Sequence, residues 1–282
     1  MQTQMESQQV REEVRKGYAQ IADSGSLAVV AGGCCGGATA CDSDALAQAV
    51  GYESHELAAL PEGANMGLSC GNPTTLASLQ PAEVVLDMGS GGGFDVFLAG
   101  PRVGPTGRVI GVDMTAEMIS KARRNTAVYR QRTGLDNVEF RLGEIEYLPL
   151  ADNSVDCIIS NCVINLSPAK PQVWREMFRV LRPSGRVAVS DLHLLRPLPA
   201  AVQNEVAALI GCVAGASLVD ESRAMAAAAG FEQVELALKS DYVAAMAGSG
   251  DPLYQRLSSL LPEGTTLADY VTSVDVTARK PA

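Results

Sequence analysis

Cysteine is the residue type of this 282-residue chain that offers the most chemistry, as a thiolate nucleophile and as a soft metal ligand. The amino end is polar and has no apolar signal core, so we expect a cytoplasmic protein with free thiols rather than a disulfide framework. No two cysteines have the spacing Cys-x-x-Cys, so any metal site must be assembled from distant segments by the fold. The seven cysteines are Cys34, Cys35, Cys41, Cys70, Cys157, Cys162 and Cys212.

Four of these cysteines stand in sequence contexts that indicate different roles. Cys162 comes directly after a predicted strand, where its thiol would lie at the edge of a sheet, and this position favours a ligand role. Cys157 lies inside the same strand and is predicted to pack in the core. Cys70 stands in a glycine-rich, irregular segment with little apolar context, which disfavours a structural role. Cys212 lies in an apolar run, where a ligand role and a place in the core are equally compatible with the sequence.

A glycine-rich loop follows the first predicted strand, with the sequence Asp87-Met88-Gly89-Ser90-Gly91-Gly92-Gly93. Glycines at this place allow a tight turn and a close approach of the backbone to a ligand. The spacing departs from the dinucleotide fingerprint Gly-x-Gly-x-x-Gly, because Phe94 stands at the last position, and so it disfavours a nicotinamide dehydrogenase. Asp113 ends the second predicted strand about 20 residues later, where a ribose-binding carboxylate is expected.

Three sites along the chain, each at the end of a predicted strand, together predict the cofactor. Asp87 is placed to order the loop and to bind a cationic amino group, and Asp113 is placed to accept hydrogen bonds from both ribose hydroxyls. Residues 143–146 follow the third strand and offer an apolar wall and an acceptor for an adenine amino group. A ribose and a charged amino-acid tail without a pyrophosphate indicate S-adenosylmethionine; the alternative is an α/β protein with acidic strand ends and no cofactor. The predicted cofactor-binding residues are Asp87, Gly89, Ser90, Gly91, Gly93, Asp113, Met114, Ile145, Glu146 and Asn161.

The elements that must position these residues alternate between strand and helix from residue 84 onward. Helices are predicted at 116–132, where Thr115 is a suitable cap, and around 171–181. The predicted strands are 84–86, 108–113, 138–142, 155–160, 186–191, 234–240 and 271–279. This alternation predicts an α/β fold with a Rossmann-like, doubly wound, seven-stranded sheet that is mostly parallel with its last strand antiparallel.

Helical segments are predicted on both sides of this core, at 5–21 and 42–60 before it and at 199–214 and 220–229 after it. Between the first two lies a glycine-rich loop at 32–37 that carries Cys34 and Cys35. We therefore divide the chain into three parts. Residues 1–72 form an N-terminal helical, cysteine-bearing segment, residues 73–195 the cofactor-binding core, and residues 196–282 a C-terminal part that completes the sheet and the substrate site.

The composition argues against two classes of partner. A net charge of −10 with dispersed Lys and Arg disfavours a nucleic-acid partner, because binding to phosphates needs clustered positive charge. A membrane is disfavoured as well, because no stretch approaches the roughly 20 apolar residues that span a bilayer. Neither of the two histidines, His55 and His193, lies in an evident catalytic motif.

Several segments resemble known motifs. Residues 84–93, 111–114, 143–146 and 181–185 resemble the successive motifs of class I S-adenosylmethionine-dependent methyltransferases. Residues 68–73, 160–166 and 211–212 resemble the arsenite methyltransferases, and the most specific match is Ser160-Asn161-Cys162-Val163-Ile164-Asn165-Leu166. The resemblance implies methyl transfer from S-adenosylmethionine to trivalent arsenic bound by Cys70, Cys162 and Cys212.

The resemblance also implies how such a site works. Trivalent arsenic is thiophilic, and three thiolates would hold it as a pyramid whose lone pair stays free to attack the sulfonium methyl, so that no general base is needed. Repeated turnover implies a thiol reductant, glutathione or thioredoxin, and an earlier shuttle or redox cysteine, for which Cys34 and Cys35 fit best and Cys41 is the alternative. Two rival hypotheses are a methyltransferase for a small organic acceptor and a non-catalytic, thiol-based arsenical- or metal-binding protein.

Overall fold

A seven-stranded sheet organises the part of the chain that this computed structural model describes, namely residues 2–24, 43–205, 208, 212–240, 242–243, 246 and 252–282. In chain order the strands are β1 Val84–Met88, β2 Arg108–Asp113, β3 Val138–Leu142, β4 Val155–Asn161, β5 Leu181–Leu194, β6 Glu232–Lys239 and β7 Val271–Arg279. They lie side by side in the order β3-β2-β1-β4-β5-β7-β6. Neighbours from β3 to β5 pair parallel, whereas β7 pairs antiparallel with β5 and with β6. The predicted sheet is confirmed.

Helices cover both faces of the sheet. One apolar cluster packs the helices Phe94–Val103 and Ala116–Thr133 against one face, and a second packs the helices Lys170–Val180 and Val219–Ala228 against the other. The α-helices with defined bounds are α1 Gln2–Ser24, α2 Ser43–Ala49, α3 Ser54–Ala59, α4 Pro73–Leu76, α5 Phe94–Val103, α6 Ala116–Thr133, α7 Lys170–Val180, α8 Ala200–Gln203, α9 Val219–Ala228 and α10 Pro252–Ser259, and 3-10 helices span Ile164–Leu166 and Leu267–Asp269.

The central strands are apolar at successive positions because both of their faces are buried. Val85 of β1 belongs to the cluster of α5 and α6, whereas its neighbour Leu86 belongs to the cluster of α7 and α9. Ile159 and Ile158 of β4 divide in the same way. Side chains alternate between the two faces of a strand, so each face of the sheet receives its own core.

The carboxyl ends of the parallel strands gather polar residues at one edge. In the strand pairing Asp87 of β1 stands opposite Gly111 of β2, and Asn161 of β4 stands opposite Ser190 of β5. The chain leaves β1 toward β2 on one side, while β4 lies on the other side of β1. Ligands of open α/β sheets bind at such a switch point, so the fold places the candidate residues where a ligand is expected.

Two predicted helical segments are wrong in extent. Residues 42–60 form two helices, α2 and α3, because Gly51 between them adopts a φ of +101°, which a glycine enters at little cost. In the described part of 199–214, helix α8 ends at Gln203, and Cys212 lies in a turn with a φ of +62°. The helices predicted at 5–21, 116–132, 171–181 and 220–229 are confirmed as α1, α6, α7 and α9, with ends that move by at most three residues.

Three further observations complete the comparison with the sequence. The predicted strand 186–191 is longer than expected, since β5 spans Leu181–Leu194. The predicted loop 32–37 and the early cysteines Cys34, Cys35 and Cys41 lie outside the described residues, and the division of the chain at residues 72 and 195 stays a proposal. No helix in the described ranges has both the length and the apolar composition needed to span a membrane.

The buried Trp174 on α7 provides a test of the packing between helix and sheet. Its side chain is 2% exposed and meets Phe231 edge to face, with ring centroids 5.7 Å apart. We expect Trp174→Ala to lower the free energy of unfolding by about 3–5 kcal/mol, because the cavity adds to the lost transfer energy. Denaturant unfolding followed by circular dichroism measures this. The control is Tyr147→Ala, a 68% exposed aromatic residue whose removal should cost about 0.5 kcal/mol or less; equal effects would contradict the packing.

Candidate active site

The glycine loop after β1 is held in a shape that glycine alone enters easily. Gly89 has a φ of +74°, and a Cβ built on it would lie 2.2 Å from the side chain of Val163. Gly93, at the start of α5, has a φ of +95°, and its Cβ would lie 2.6 Å from the ring of Phe97. The loop therefore passes directly over the end of β4, which brings the backbone close to Cys162.

Asp113, at the end of β2, fixes this loop and the helix that follows. Its Oδ2 accepts a hydrogen bond from Gly91 N at 2.9 Å and its Oδ1 one from Thr115 N at 2.8 Å. The Thr115 side chain, predicted to cap α6, makes no capping hydrogen bond to the helix. The ordering of the loop, which the sequence assigned to Asp87, thus comes from Asp113. Burial raises the pKa of the Asp113 carboxyl, against the effect of these two backbone donors.

Two adjoining cavities lie on either side of the glycine loop. The first contains about 710 Å³ of empty space, including open solvent, and the second about 410 Å³. They share Leu68, Gly89, Gly91 and Asn161. Every predicted cofactor residue except Gly93 lines at least one of the two cavities. The first cavity is lined by Asp113, Met114, Ile145 and Glu146, and the second by Asp87 and Ser90, while Gly89, Gly91 and Asn161 line both.

The second cavity is acidic. Asp87 and Asp95 are both buried, and burial followed by the charges of Asp95 and Asp113 holds the pKa of Asp87 well above its usual range. Burial also raises the pKa of Asp95 to about 6, although Tyr52 donates a hydrogen bond of 2.6 Å to its Oδ1. The buried Ser90 Oγ has no hydrogen-bond partner among the described residues. A ligand with a cationic amino group would offset these carboxylates, so the cavity fits the amino-acid tail of S-adenosylmethionine.

Asp95 is a functional candidate that the sequence analysis missed. It stands in the first turn of α5, where an acidic side chain is ordinarily interpreted as stabilising the helix through its dipole. Its carboxylate instead lines the second cavity and accepts hydrogen bonds from Tyr52 and Asn161. The available sequence signal was its distance of two residues from the end of the glycine loop.

Helix α1 closes the first cavity over the residues predicted to bind adenine. Glu146 Oε1 accepts a hydrogen bond of 2.6 Å from Ser167 Oγ and one of 3.3 Å from Arg11 Nε of α1. Arg15 of α1 also binds Glu144, with 3.1 Å between Nη2 and Oε1. Tyr18 lines the same cavity, and its hydroxyl lies 4.0 Å from Cys212 Sγ. The N-terminal helix thus forms a wall of the site.

Cys70 and Cys162 are joined by a disulfide, although 92 residues separate them in sequence. The expectation of free thiols is therefore wrong for these two residues. The physical reason is the side chain of Asn161 at the end of β4. Its Oδ1 accepts a hydrogen bond of 3.0 Å from Cys70 N, and its Nδ2 donates one of 2.9 Å to Gly71 O, so the Cys70 segment is held against the carboxyl edge of the sheet.

The third predicted arsenic ligand lies beside the other two. Cys212 is buried, and its Sγ donates to the carbonyl oxygen of Cys162 at 2.8 Å. Burial, followed by the charge of Asp191, holds the pKa of this thiol well above its usual range. The remaining described cysteine, Cys157, is 0% exposed in the core, as predicted, and burial raises its pKa to about 12. The fold thus gathers the three candidate ligands and separates them from Cys157.

Asp191 of β5 is a second residue that the sequence did not single out. Its carboxylate accepts hydrogen bonds from Ile164 N at 3.0 Å, Leu192 N at 2.8 Å and Asn165 Nδ2 at 2.8 Å. Burial nevertheless raises its pKa to about 7. One of its oxygens lies within 4.8 Å of the sulfurs of Cys70 and Cys162. The predicted strand ended at this residue, so only the observed register shows its place beside the cysteines.

The two histidines take no part in the two cavities. His55 is 77% exposed, as expected for a solvated helix residue. His193 is buried within β5, where its Nε2 lies 2.8 Å from Ser222 Oγ. Burial lowers its pKa to about 4, so its ring is neutral at pH 7.

Comparison with known proteins gives one family. Residues 79–233 match the protein family described as methyltransferase domain. Over 283 aligned positions, which are 98% of this chain and 68% of the relative, the chain is 47% identical to an arsenite methyltransferase of Halobacterium salinarum. A human arsenite methyltransferase is 36% identical over 152 positions, which cover 52% of this chain and 40% of the human protein. The chain thus spans about two thirds of the first relative and less than half of the second.

The fold agrees with a solved structure. The crystal structure of an arsenic(III) S-adenosylmethionine methyltransferase from Chlamydomonas reinhardtii superposes with a TM-score of 0.60 at 30% sequence identity. The superposition covers 84% of this chain and 73% of the algal protein.

The acidic cavity predicts a pH dependence of cofactor binding. A cationic amino group is attracted by ionised carboxylates, and Asp95, whose pKa is about 6, loses its charge as the pH falls through that value. We therefore expect the affinity for S-adenosylmethionine to fall by up to about tenfold per pH unit below this point. Other groups that act on this carboxyl are Asp87, Tyr52, Asn161, Arg102 and Glu56.

Isothermal titration between about pH 5 and pH 7 measures this slope. Asp95→Asn should weaken binding at pH 7 and flatten the slope, because the titrating charge is gone. The control is Asp136→Asn, which changes the same net charge at a side chain that is 71% exposed. An affinity independent of pH in the wild-type protein would contradict the assignment.

Proposed function

The chain belongs to the arsenite methyltransferase family, within the methyltransferase-domain proteins, and from this premise we propose that it transfers methyl groups from S-adenosylmethionine to trivalent arsenic bound by Cys70, Cys162 and Cys212. It is an S-adenosylmethionine-dependent methyltransferase. The observation that carries the arsenic proposal is the meeting of these three cysteines at the wall of the cofactor cavity, which Cys162 itself lines. Thiolates are the protein ligands that soft, trivalent arsenic prefers.

The cofactor residues divide the work of binding. Asp113 is placed to accept hydrogen bonds from the ribose, while Ile145 and Glu146 offer an apolar wall and an acceptor at the adenine end. Asp87 and Asp95 provide the negative charge for the amino group at the other end. When bound, S-adenosylmethionine supplies an electrophilic methyl group, which the arsenic lone pair attacks. The contribution of the protein is to hold the two reactants in line and to exclude water from the cavity.

A general base is unnecessary in this scheme. The nucleophile is a lone pair on arsenic and carries no proton to remove. This agrees with the burial of His193, whose Nε2 contacts Ser222 Oγ. Loading of arsenite forms each arsenic–sulfur bond as the thiol proton leaves with an arsenic hydroxyl, as water. The raised pKa of Cys212 keeps its thiol protonated until that exchange.

The disulfide between Cys70 and Cys162 makes a reductant part of the proposal. A bonded sulfur offers no thiolate, so arsenic binding needs two electrons from a thiol reductant such as glutathione or thioredoxin. Such reductants are abundant in the cytoplasm, which supports a cytoplasmic location. The net charge of −10 supports the absence of a nucleic-acid partner. Cys34 and Cys35 remain the proposed shuttle thiols, with Cys41 as the alternative.

A direct assay tests the proposed reaction. We expect purified protein with arsenite, S-adenosylmethionine and a thiol to yield methylated arsenicals, which chromatography separates. Cys162→Ser should abolish the product, because one arsenic ligand is lost, and should leave cofactor affinity within about twofold. The matched control is Cys157→Ser, which replaces a thiol in the core, with activity corrected for folded fraction. Product equal to the control without enzyme would refute arsenite methylation; methylation of a small organic acceptor instead would establish the rival enzyme.

The ribose assignment has its own test. We expect Asp113→Ala to weaken S-adenosylmethionine binding by about 10- to 100-fold, since hydrogen bonds to a charged group contribute about 1.5–3 kcal/mol. Equilibrium dialysis with labelled cofactor measures the dissociation constant, and Asp136→Ala is the exposed control. An unchanged constant would remove Asp113 from the ribose site. Tight arsenite binding by a wild-type protein without cofactor affinity would support the non-catalytic alternative.

A further inference from the structure

Cys70, Cys162 and Asp191 form a buried group of three potential metal ligands. One sulfur from each cysteine and one carboxylate oxygen all lie within 4.8 Å of one another. The exposed fractions are 0% for Cys70, 9% for Cys162 and 1% for Asp191. Two of these residues are proposed ligands of arsenic, but a carboxylate has no role in a site built from three thiolates. Asp191 is thus the member of the group that the proposed arsenic site does not use.

We propose that the reduced protein binds a thiophilic divalent cation, Zn²⁺ or Cd²⁺, at Cys70, Cys162 and Asp191. Zinc binds cysteine sulfur at about 2.3 Å and carboxylate oxygen at about 2.0–2.2 Å, so its ligand atoms lie about 3.5–3.8 Å apart in a tetrahedron. Opening of the sulfur–sulfur bond lets the two sulfurs separate to this spacing, and the Asp191 oxygen already lies within 4.8 Å of both. Three protein ligands leave a fourth position for water.

The surroundings of Asp191 are those of an oriented metal ligand. Backbone N–H groups of Ile164 and Leu192 and the side chain of Asn165 all donate to its two oxygens. Such donors fix the direction of a carboxylate before the metal arrives. The cysteines are fixed as well, since Cys162 N donates to Ser190 O at 2.9 Å and Cys70 N donates to Asn161. Little reorganisation is needed beyond the opening of the disulfide.

Reduction and binding balance as two steps. A phosphine gives two electrons to the sulfur–sulfur bond and becomes its oxide, with one water supplying the oxygen and the two protons of the new thiols. A thiol reductant gives the same two electrons and two protons from two of its thiols, which become a disulfide. The cation then displaces the two thiol protons and binds two thiolates and one carboxylate.

Asp191 distinguishes the two kinds of occupant. Trivalent arsenic prefers sulfur throughout, and the third sulfur comes from Cys212, which lies outside the group of three. A borderline cation such as Zn²⁺ accepts oxygen together with sulfur. The two occupants share Cys70 and Cys162 and therefore exclude one another, so that a divalent cation competes with arsenite.

Cadmium titration tests the site. The parent protein carries Cys34→Ser, Cys35→Ser and Cys41→Ser, which remove the three N-terminal thiols, and is kept reduced with a phosphine under argon. We expect one Cd²⁺ per chain, detected by sulfur-to-cadmium charge-transfer absorption, and displacement of the Cd²⁺ by arsenite. Absence of stoichiometric Cd²⁺ binding would overturn the cation site, whereas Cd²⁺ binding that arsenite leaves untouched would count against arsenic binding at the shared cysteines.

Asp191→Asn is the decisive variant. We expect it to weaken Cd²⁺ binding by at least about tenfold and to leave the arsenite dissociation constant within about twofold, while Asp136→Asn changes neither. Equal Cd²⁺ affinity in Asp191→Asn and the parent would refute the role of the carboxylate. Arsenite methylation is measured on the wild-type protein, which keeps the proposed shuttle thiols: its absence beside intact Cd²⁺ binding by the parent counts against the proposed function alone, and the reverse counts against the cation site alone.

A second measurement does not depend on how that variant folds. X-ray absorption of the Zn²⁺-loaded parent should show two sulfur neighbours at about 2.3 Å together with oxygen at about 2.0–2.2 Å. A shell of sulfur alone would overturn the participation of Asp191.

Discussion

The side-chain amide of Asn161 holds the two halves of the candidate site together. Its oxygen accepts from Cys70 N, and its nitrogen donates to Gly71 O and lies 3.3 Å from Asp95 Oδ2. Each such bond contributes about 1 kcal/mol, and those to a charged group about 1.5–3 kcal/mol. One residue at the end of β4 thus sets both where Cys70 lies relative to Cys162 and how the acidic cavity is lined. The proposed arsenic site and the cofactor site are therefore positioned by the same hydrogen-bond network around Asn161.

Buried negative charge is the second constraint on the site. Asp87, Asp95 and Asp113 converge because the carboxyl ends of β1 and β2 and the first turn of α5 meet at one edge. Burial raises the pKa of all three carboxyls, so each is costly to keep ionised without a cation. The cofactor that the family uses carries its positive charge at its amino group and its sulfonium. Its binding therefore relieves an electrostatic cost that the fold has already built in.

The sequence predicts the fold and the gathering of the proposed cofactor residues along the cavities, but not the pairing of the cysteines. Asp87 and Asp113 were identifiable because parallel strands end at a common edge, so a carboxylate after a strand has a defined place. Asp95 was missed because an acidic residue in the first turn of a helix already has a local explanation. The Cys70–Cys162 pairing depends on a contact across 92 residues, for which neither periodicity nor spacing carries a signal. The break at Gly51 in a predicted helix was not foreseen, because its φ of +101° is seen only in the folded backbone.

The oxidation state of the two linked cysteines decides what the site can bind. While the disulfide is closed, Cys212 is the one proposed arsenic ligand that keeps a thiol, and that thiol is buried, protonated and hydrogen-bonded to Cys162 O. A single neutral thiol binds trivalent arsenic far less tightly than three thiolates, because each added sulfur contributes without a further loss of translational freedom. The same reduction that opens the arsenic site frees two sulfurs beside a fixed carboxylate. Discrimination between arsenic and divalent cations must then come from the ligands that differ, Cys212 for the first and Asp191 for the second.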